Sequence, residues 1–200
     1  MQLVLATANQ GKLQEIAAIL SDLRISFLSL ASLHGYVPPI ESGATYAENA
    51  SAKARAAAQF AGAWALADDS GLEVEALGGQ PGPHSSRFLG PAATGRERNR
   101  RILEMLEGIP VEQRKARFEC VVALAGPEGE LCLTHGSCEG LIAQVPVGDE
   151  GFGYDPIFIV PEHGVTMASL PRDIKNRISH RARALEKTKP LLLGLSLSAT

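Results

Sequence analysis

Apolar and polar positions follow two different rhythms in the first twenty residues. Leu3 to Ala6 is an unbroken apolar run that gives way to a polar loop, Thr7-Ala8-Asn9-Gln10-Gly11. Leu13, Ile16, Ala17 and Leu20 then recur at the i, i+3, i+4, i+7 spacing of one apolar helix face. The pattern predicts strand, loop, helix. Asn9 is the expected N-cap, since its side-chain oxygen can accept an otherwise orphaned helix N–H. Ile25 to Leu30 reads as a second strand, followed by a loop carrying Pro38-Pro39 and Glu41-Ser42-Gly43.

Thr45-Tyr46-Ala47-Glu48 fits a capping box and opens an alanine-rich helix to Ala61. Ala63 to Ala67 reads as a buried strand ending at Asp68-Asp69-Ser70-Gly71. The loop Gly78-Gly79-Gln80-Pro81-Gly82-Pro83 is too constrained to be a mere linker. A second capping box, Thr94 to Glu97, opens a helix expected to run to about Glu107. Arg114 to Gly126 and Leu131 to Val145 read as long strands joined by the turn Gly126-Pro127-Glu128-Gly129. Gly148 to Asp155 is a Gly-rich loop before a strand at Ile157 to Val160. A short helix near Pro171 to Asn176 precedes a longer one from about Ser179, expected to be interrupted by Pro190. Ser196 to Thr200 reads as a loose tail.

Helices alternate with strands early and hairpins dominate later, which predicts an α/β fold with a mixed sheet. Two hundred residues make one ordinary domain, or two lobes sharing a core, and 45% hydrophobic against 20% charged residues excludes a disordered chain. The net charge of −3 and pI near 6.0 lack the basic footprint of a nucleic-acid binder, so no nucleic-acid partner is expected. No apolar run approaches the roughly 20 residues of a membrane span. Met1 to Thr7 lacks the basic start of a signal peptide, so a cytoplasmic location is the expectation. Cys120, Cys132 and Cys138 show no CxxC spacing and fall in strand-like stretches, which predicts buried thiols.

Five features carry candidate chemistry. The loop Thr7 to Lys12 joins a strand to a helix, where N–H groups and the positive helix end can meet an anion. It is not a Walker A loop, because Leu13, not Ser or Thr, follows Lys12; taken alone it reads better as a capped helix with a solvated lysine. Asp68 and Asp69 repel each other, and such pairs persist where a cation relieves the repulsion. Alternation along a strand lets only one of the two face a given side. Glu41 stands in a Pro/Gly loop that could present a hard oxygen ligand. Gly151-Phe152-Gly153-Tyr154-Asp155-Pro156 offers an aromatic face between two glycines, which suits either a stacked base or a tightly anchored turn. Lys175 and the pair His180-Arg181 sit near the junction of two helices. Lys and Arg side chains only donate, so they match a 6-oxo purine and leave donors facing donors against adenine.

Taken in order, Thr7-Ala8-Asn9-Gln10-Gly11-Lys12, Glu41-Ser42-Gly43, Glu48-Asn49-Ala50, Ala67-Asp68-Asp69-Ser70-Gly71-Leu72, Gly78-Gly79-Gln80-Pro81-Gly82, Gly151 to Pro156 and Ser179-His180-Arg181 closely resemble the inosine triphosphate pyrophosphatase family. The match runs from residue 3 to about 193. The resemblance implies an elongated α/β fold of two lobes with the active site in the cleft between them, and a homodimer. It implies Mg²⁺-dependent cleavage of non-standard purine nucleoside triphosphates between the α- and β-phosphates. By the same resemblance, Thr7, Ala8, Asn9, Gln10, Gly11 and Lys12 hold the triphosphate, and Ser70 touches substrate beside Asp69. Phe152, Gly153, Tyr154, Asp155, Lys175, His180 and Arg181 form the base pocket. Asp69 is the general base and a metal ligand, with Glu41 as the second metal carboxylate. Ala8 stands where Gly is usual in the family, Pro83-His84-Ser85-Ser86-Arg87 replaces a tyrosine-containing form, and Asp173 replaces Glu. Two alternatives stay open on sequence: a pyrophosphatase for modified pyrimidine triphosphates, and a non-catalytic nucleotide sensor.

Overall fold

The computed structural model describes residues 1–198, with side chains to Leu195. Its strands are β1 (Gln2–Leu5), β2 (Ser26–Ser29), β3 (Ala65–Val74), β4 (Gln80–Pro81), β5 (Lys115–Ala125), β6 (Leu131–Ile142), β7 (Phe158–Val160) and β8 (Val165–Thr166). Its α-helices are α1 (Gln10–Ile19), α2 (Tyr46–Ala61), α3 (Gly95–Met105), α4 (Arg172–Ile178) and α5 (His180–Ser198). The strands form a mixed sheet in the order β2-β1-β3-β5-β6-β7-β8, with β4 paired to β3. β1 runs parallel to both β2 and β3, whereas β4, β7 and β8 join antiparallel. The mixed α/β architecture is therefore as expected. The tail anticipated at Ser196–Thr200 falls at this limit: α5 runs to Ser198, and 199–200 lie outside the described residues.

The chain forms two compact units. The first comprises Met1–Asp69, Cys120–Gly136 and His180–Thr200, and the second comprises Ser70–Glu119 and Ser137–Ser179.

In the first unit, strand alternation sorts side chains onto two faces. Leu3 and Leu5 of β1, Leu66 of β3 and Cys120, Val122 and Leu124 of β5 bury against Ile16, Ile19 and Leu20 and against Ala182, Leu185 and Leu192 of α5. Val4, Ala6, Ala65, Ala67, Ala123 and Ala125 point the other way and pack on Ala50, Ala54, Ala57 and Ala58 of α2. Alanine on both sides of that layer lets the helix approach the sheet closely. Gly136 serves a similar purpose on the α5 side. A Cβ there would collide with backbone atoms of His180 and Ala184, so the helix start can press on β6 only because the side chain is missing.

In the second unit, Leu72, Val74, Phe118, Ile142, Phe158 and Val160 share a core with Ile102 and Leu106 of α3. The Phe118 and Phe158 rings stack tilted, 4.3 Å apart at their centroids.

Three expectations need correction. β3 does not stop at Ala67 but continues through Asp68-Asp69-Ser70-Gly71 to Val74. Those four residues have turn composition, yet the strand is covered on both faces and its carboxylates meet cations there, so tertiary context overrides local preference. Pro190 does not interrupt α5. It lies on the exposed side of the helix, where a carbonyl that loses its donor has solvent. Cys120 and Cys138 are buried, but Cys132 is exposed near the start of β6.

Candidate active site

The capping boxes do the local work of placing the site. Asn9 caps α1 through its side-chain oxygen, which accepts from the Lys12 N–H at 3.2 Å, while the Asn9 N–H donates to Thr7 Oγ1 at 3.2 Å. That winding sends the Lys12 side chain from the first turn of α1 to Asp68, with Nζ 2.9 Å from Oδ2. Thr45 and Glu48 form the reciprocal box that starts α2. One turn on, Asn49 folds the Glu41-Ser42-Gly43 loop against the helix: its Oδ1 accepts from the Gly43 N–H at 2.9 Å.

Asp68 and Asp69 then inherit the two faces of β3. Asp68 has the parity of Leu66 and turns toward α1 and α5. Lys12 reaches it, and Arg181 donates to its Oδ2 from Nε at 3.2 Å and from Nη2 at 2.9 Å. The same guanidinium pairs through Nη1 with Glu15, one turn after Lys12 on α1. Burial alone would raise the Asp68 pKa, but Lys12, Arg181 and Lys53 outweigh it and hold the carboxyl well below the usual range. Arg181 is raised in turn: burial opposes its charge, but Asp68 and Glu15 prevail.

Asp69 has the parity of Ala65 and Ala67 and turns toward α2. Asn49 Nδ2 donates to its Oδ2 at 3.1 Å, and Lys53 Nζ sits 3.1 Å from its Oδ1. Lys53 Nζ also lies 2.7 Å from Glu41 Oε1 and donates to the Asp68 carbonyl oxygen at 2.8 Å. The loop glutamate and the strand aspartate, 28 residues apart in sequence, thus share one ammonium. Burial would lower the Lys53 pKa, but Asp69, Asp68 and Glu41 raise it overall, so the lysine stays charged. Asp69 is raised, first by burial and also by Glu41, against the opposing pull of Lys53 and Lys12.

With every group ionised, Lys12, Lys53 and Arg181 face Glu15, Glu41, Asp68 and Asp69, leaving one negative charge in excess. Among the described residues, no group of three or more His, Cys, Asp or Glu side chains forms a metal-ligand set. Glu41 and Asp69 are hard oxygen donors gathered around one positive charge. That donor set fits a small divalent cation of the kind held by one or two carboxylates and completed by substrate phosphate.

The second unit holds the other expected residues. Ser70 follows Asp69 on β3, half-buried. The Phe152 N–H donates to Asp155 Oδ2 at 2.8 Å, and the Tyr154 hydroxyl donates to the Ser85 carbonyl at 2.9 Å. Lys175, buried on α4, pairs with Asp155 and places its Nζ 4.8 Å from the Phe152 ring centroid. Gly151 lets this corner close. Its φ is +76°, and a Cβ would run into the Asp155 carboxylate. Phe152 stays half-exposed while Tyr154 is buried.

Of the residues expected from sequence, Thr7 to Lys12, Glu41, Asp69, His180 and Arg181 fall in the first unit. Ser70, Phe152 to Asp155 and Lys175 fall in the second. The structure brings Lys12, Asp68 and Arg181 together, and Glu41 with Asp69; it also pairs Lys175 with Asp155 beside Phe152. Sequence reasoning missed Lys53, Asn49 as a partner of Asp69, and Glu15. A signal for the first two existed. Asn49 and Lys53 are four residues apart, hence on one side of α2, and they border the alanine face that packs on the sheet.

The chain matches the family model described as Ham1 family over residues 3–191. It is 48% identical over 192 residues to the dITP/XTP pyrophosphatase of Desulforamulus reducens, covering 96% of each chain. It is 49% identical over 185 residues to the dITP/XTP pyrophosphatase of Thermus thermophilus, covering 92% of this chain and 88% of the relative. Among solved structures, a HAM1 protein from Coxiella burnetii superimposes with a TM-score of 0.88 at 44% identity, over 97% of this chain and 99% of that one. The mixed α/β fold is thus shared with the solved HAM1 protein. The chain belongs to the Ham1 family, in agreement with the resemblance carried by its motifs.

Proposed function

We propose that this chain hydrolyses non-standard purine nucleoside triphosphates, such as those of inosine, deoxyinosine and xanthosine, to the monophosphate and pyrophosphate. The removal of such nucleotides before their incorporation into nucleic acid is the corresponding role. The observation that carries the chemistry is the pairing of Glu41 and Asp69 on one ammonium, with Lys12 held at the adjacent Asp68. The relatives' shared name, dITP/XTP pyrophosphatase, supports purine over pyrimidine substrates and turnover over mere sensing.

The charge problem comes first. A triphosphate repels a nucleophile, and Lys12 supplies a positive charge at the start of α1, where the helix end already favours anions. Thr7 to Gly11 shape that loop. Asp69 is suited to orient the attacking water and take its proton at a carboxylate oxygen. Lys53 holds that carboxylate and Glu41 in register. Asn49 fixes the Asp69 rotamer. Glu41 and Asp69 would hold Mg²⁺, which when bound offsets phosphate charge and acidifies water.

Ser70 contacts substrate beside Asp69. Phe152, half-exposed, offers its ring to the base, and Gly153, Tyr154 and Asp155 keep that loop in place. Lys175 supplies donor character beside the ring, and His180 and Arg181 are carried over from the family resemblance as further substrate-binding residues. Glu15 and Asp68 hold the guanidinium in one orientation. A homodimer working in the cytoplasm, with no nucleic-acid or membrane partner, completes the reading. Among the described residues no helix is long and apolar enough to cross a membrane. Light scattering of the purified chain tests the dimer.

The activity test is incubation with inosine triphosphate and Mg²⁺. Orthophosphate is expected only when an inorganic pyrophosphatase is added. Orthophosphate released without it would mean stepwise phosphatase action and overturn the reading.

A further inference from the structure

Helix α3 turns one side toward the Phe152 loop. Its capping box at Thr94 sets where the helix begins, and Gly95 and Asn99, four residues apart, share a side. A Cβ on Gly95 would lie 3.7 Å from the Gly153 carbonyl oxygen, an ordinary contact. Asn99 Nδ2 donates to that same oxygen at 3.1 Å, from a residue that is 4% exposed. The amide orientation follows from the partner, because a carbonyl only accepts. The other end of the carboxamide, Oδ1, is buried with no hydrogen-bond partner among the described residues.

A side chain chosen only for packing would not bury an unsatisfied acceptor, which is costly. What Asn99 offers that leucine cannot is an NH2 group, and it donates to the Gly153 carbonyl. Gly153 stands between two anchored neighbours. The Phe152 N–H is tied to Asp155, and the Tyr154 hydroxyl to Ser85. Ser85 is itself fixed, its Oγ accepting from the Leu72 N–H at 2.9 Å and donating to the Gly82 carbonyl at 2.6 Å. The peptide that follows Gly153 connects these anchors and is the part free to rotate about a glycine unless its carbonyl is held.

We infer that Asn99 is a positioning residue for base recognition: by holding the Gly153 carbonyl it fixes the Phe152 ring beside the Lys175 ammonium. The inference rests on the functional reading above. Asn99 touches neither Asp69 nor Lys12 in the described contacts, so its loss affects how the base is held and not the step at the phosphate. Such a change appears in KM and in base preference, with kcat preserved.

The test compares the parent with Asn99→Leu and Asn99→Asp, using inosine triphosphate and ATP as substrates. For Asn99→Leu, KM for inosine triphosphate should rise about three- to tenfold, with kcat within about twofold and the preference over ATP reduced by a similar factor. Asn99→Asp adds a pH readout that a mere packing role would not move. Its buried carboxyl donates to Gly153 only when protonated, so its KM relative to the parent should fall toward one as pH is lowered, whereas the Asn99→Leu ratio stays constant. If Asn99→Leu is not recovered folded, the Asn99→Asp pH series decides alone. Unchanged KM and preference, a fall in kcat alone, or a pH-independent Asn99→Asp ratio overturns the inference while the parent remains active. A parent that fails to hydrolyse inosine triphosphate overturns the functional reading, and this inference with it.

Discussion

Asp68 and Asp69 are adjacent in the chain yet answer to different helices: Asp68 is bound by Lys12 of α1 and Arg181 of α5, and Asp69 by Asn49 and Lys53 of α2. Strand alternation separates their side chains, so two neighbouring carboxylates can carry separate duties with different direct partners.

Their substitutions should therefore diverge. Asp68→Asn leaves a fully buried guanidinium short of its main partner, and breaking a buried pair of this kind costs about 3–5 kcal/mol. Asp69→Asn keeps an acceptor for Lys53 but turns an NH2 toward the Asn49 donor, so its melting temperature should fall by less than that of Asp68→Asn. Its turnover should fall about 10²–10⁴-fold with little change in KM, the usual cost of losing a general base. Thermal denaturation and steady-state kinetics on the two variants check the contrast. Equal stability losses would contradict it.

Lys53 sits between two carboxylates, and its removal separates charge balance from catalysis. In Lys53→Met, turnover should drop about 10²-fold, comparable to deleting one preorganised electrostatic donor. Glu41 and Asp69 would then face each other without a counter-charge, so Mg²⁺ should bind more tightly in the absence of nucleotide. Calorimetric titration with Mg²⁺ reads this directly. Weaker binding would instead mean that Lys53 is needed to gather the two ligands.

Acid should weaken the start of α3 through Glu97. Its backbone and side-chain hydrogen bonds to Thr94 lower its pKa from the ordinary 4.5. A carboxylate lowered in the folded state stabilises above its unfolded pKa, and the stabilisation disappears as pH falls through the folded value. Glu97→Gln should thus melt below the parent at neutral pH. The gap should narrow once the pH drops under the ordinary carboxylate range. Melting curves across that range measure it, and a constant gap would contradict the assignment.

The thiols should report the fold. Cys132 is exposed, while Cys138 is buried and Cys120 is both buried and pushed up to about 12, chiefly by burial and secondarily by Asp68. A thiol reagent at pH 8 should modify one cysteine quickly in the native chain and all three after unfolding. Fast modification of two would place a second thiol at the surface.

Much of the local architecture could be read before any coordinates. The Asn9 cap and the Thr45 and Thr94 capping boxes occur where their residue types predicted, because each bond spans only three residues. The early strands and the helices they precede followed from periodicity. The segment Asp68-Asp69-Ser70-Gly71 misled, since its composition suits a turn. Lys12, Arg181 and Lys53, brought from three helices, neutralise it as strand.

The family's ordered motifs and the mixed α/β class were properties of the sequence alone, and the candidate roles of Glu41 and Asp69 came through the resemblance those motifs carry. The motifs depend on residue identity and on spacings of a few positions. Which ammonium bridges Glu41 to Asp69, which carboxylate receives Lys12, and why Asn99 faces Gly153 were decided by tertiary structure. Lys12 and Asp68 are 56 positions apart, and Arg181 reaches Asp68 over 113 and Glu15 over 166. Long-range contacts of that kind are set by which helix packs on which face of a strand, and no local pattern encodes that choice.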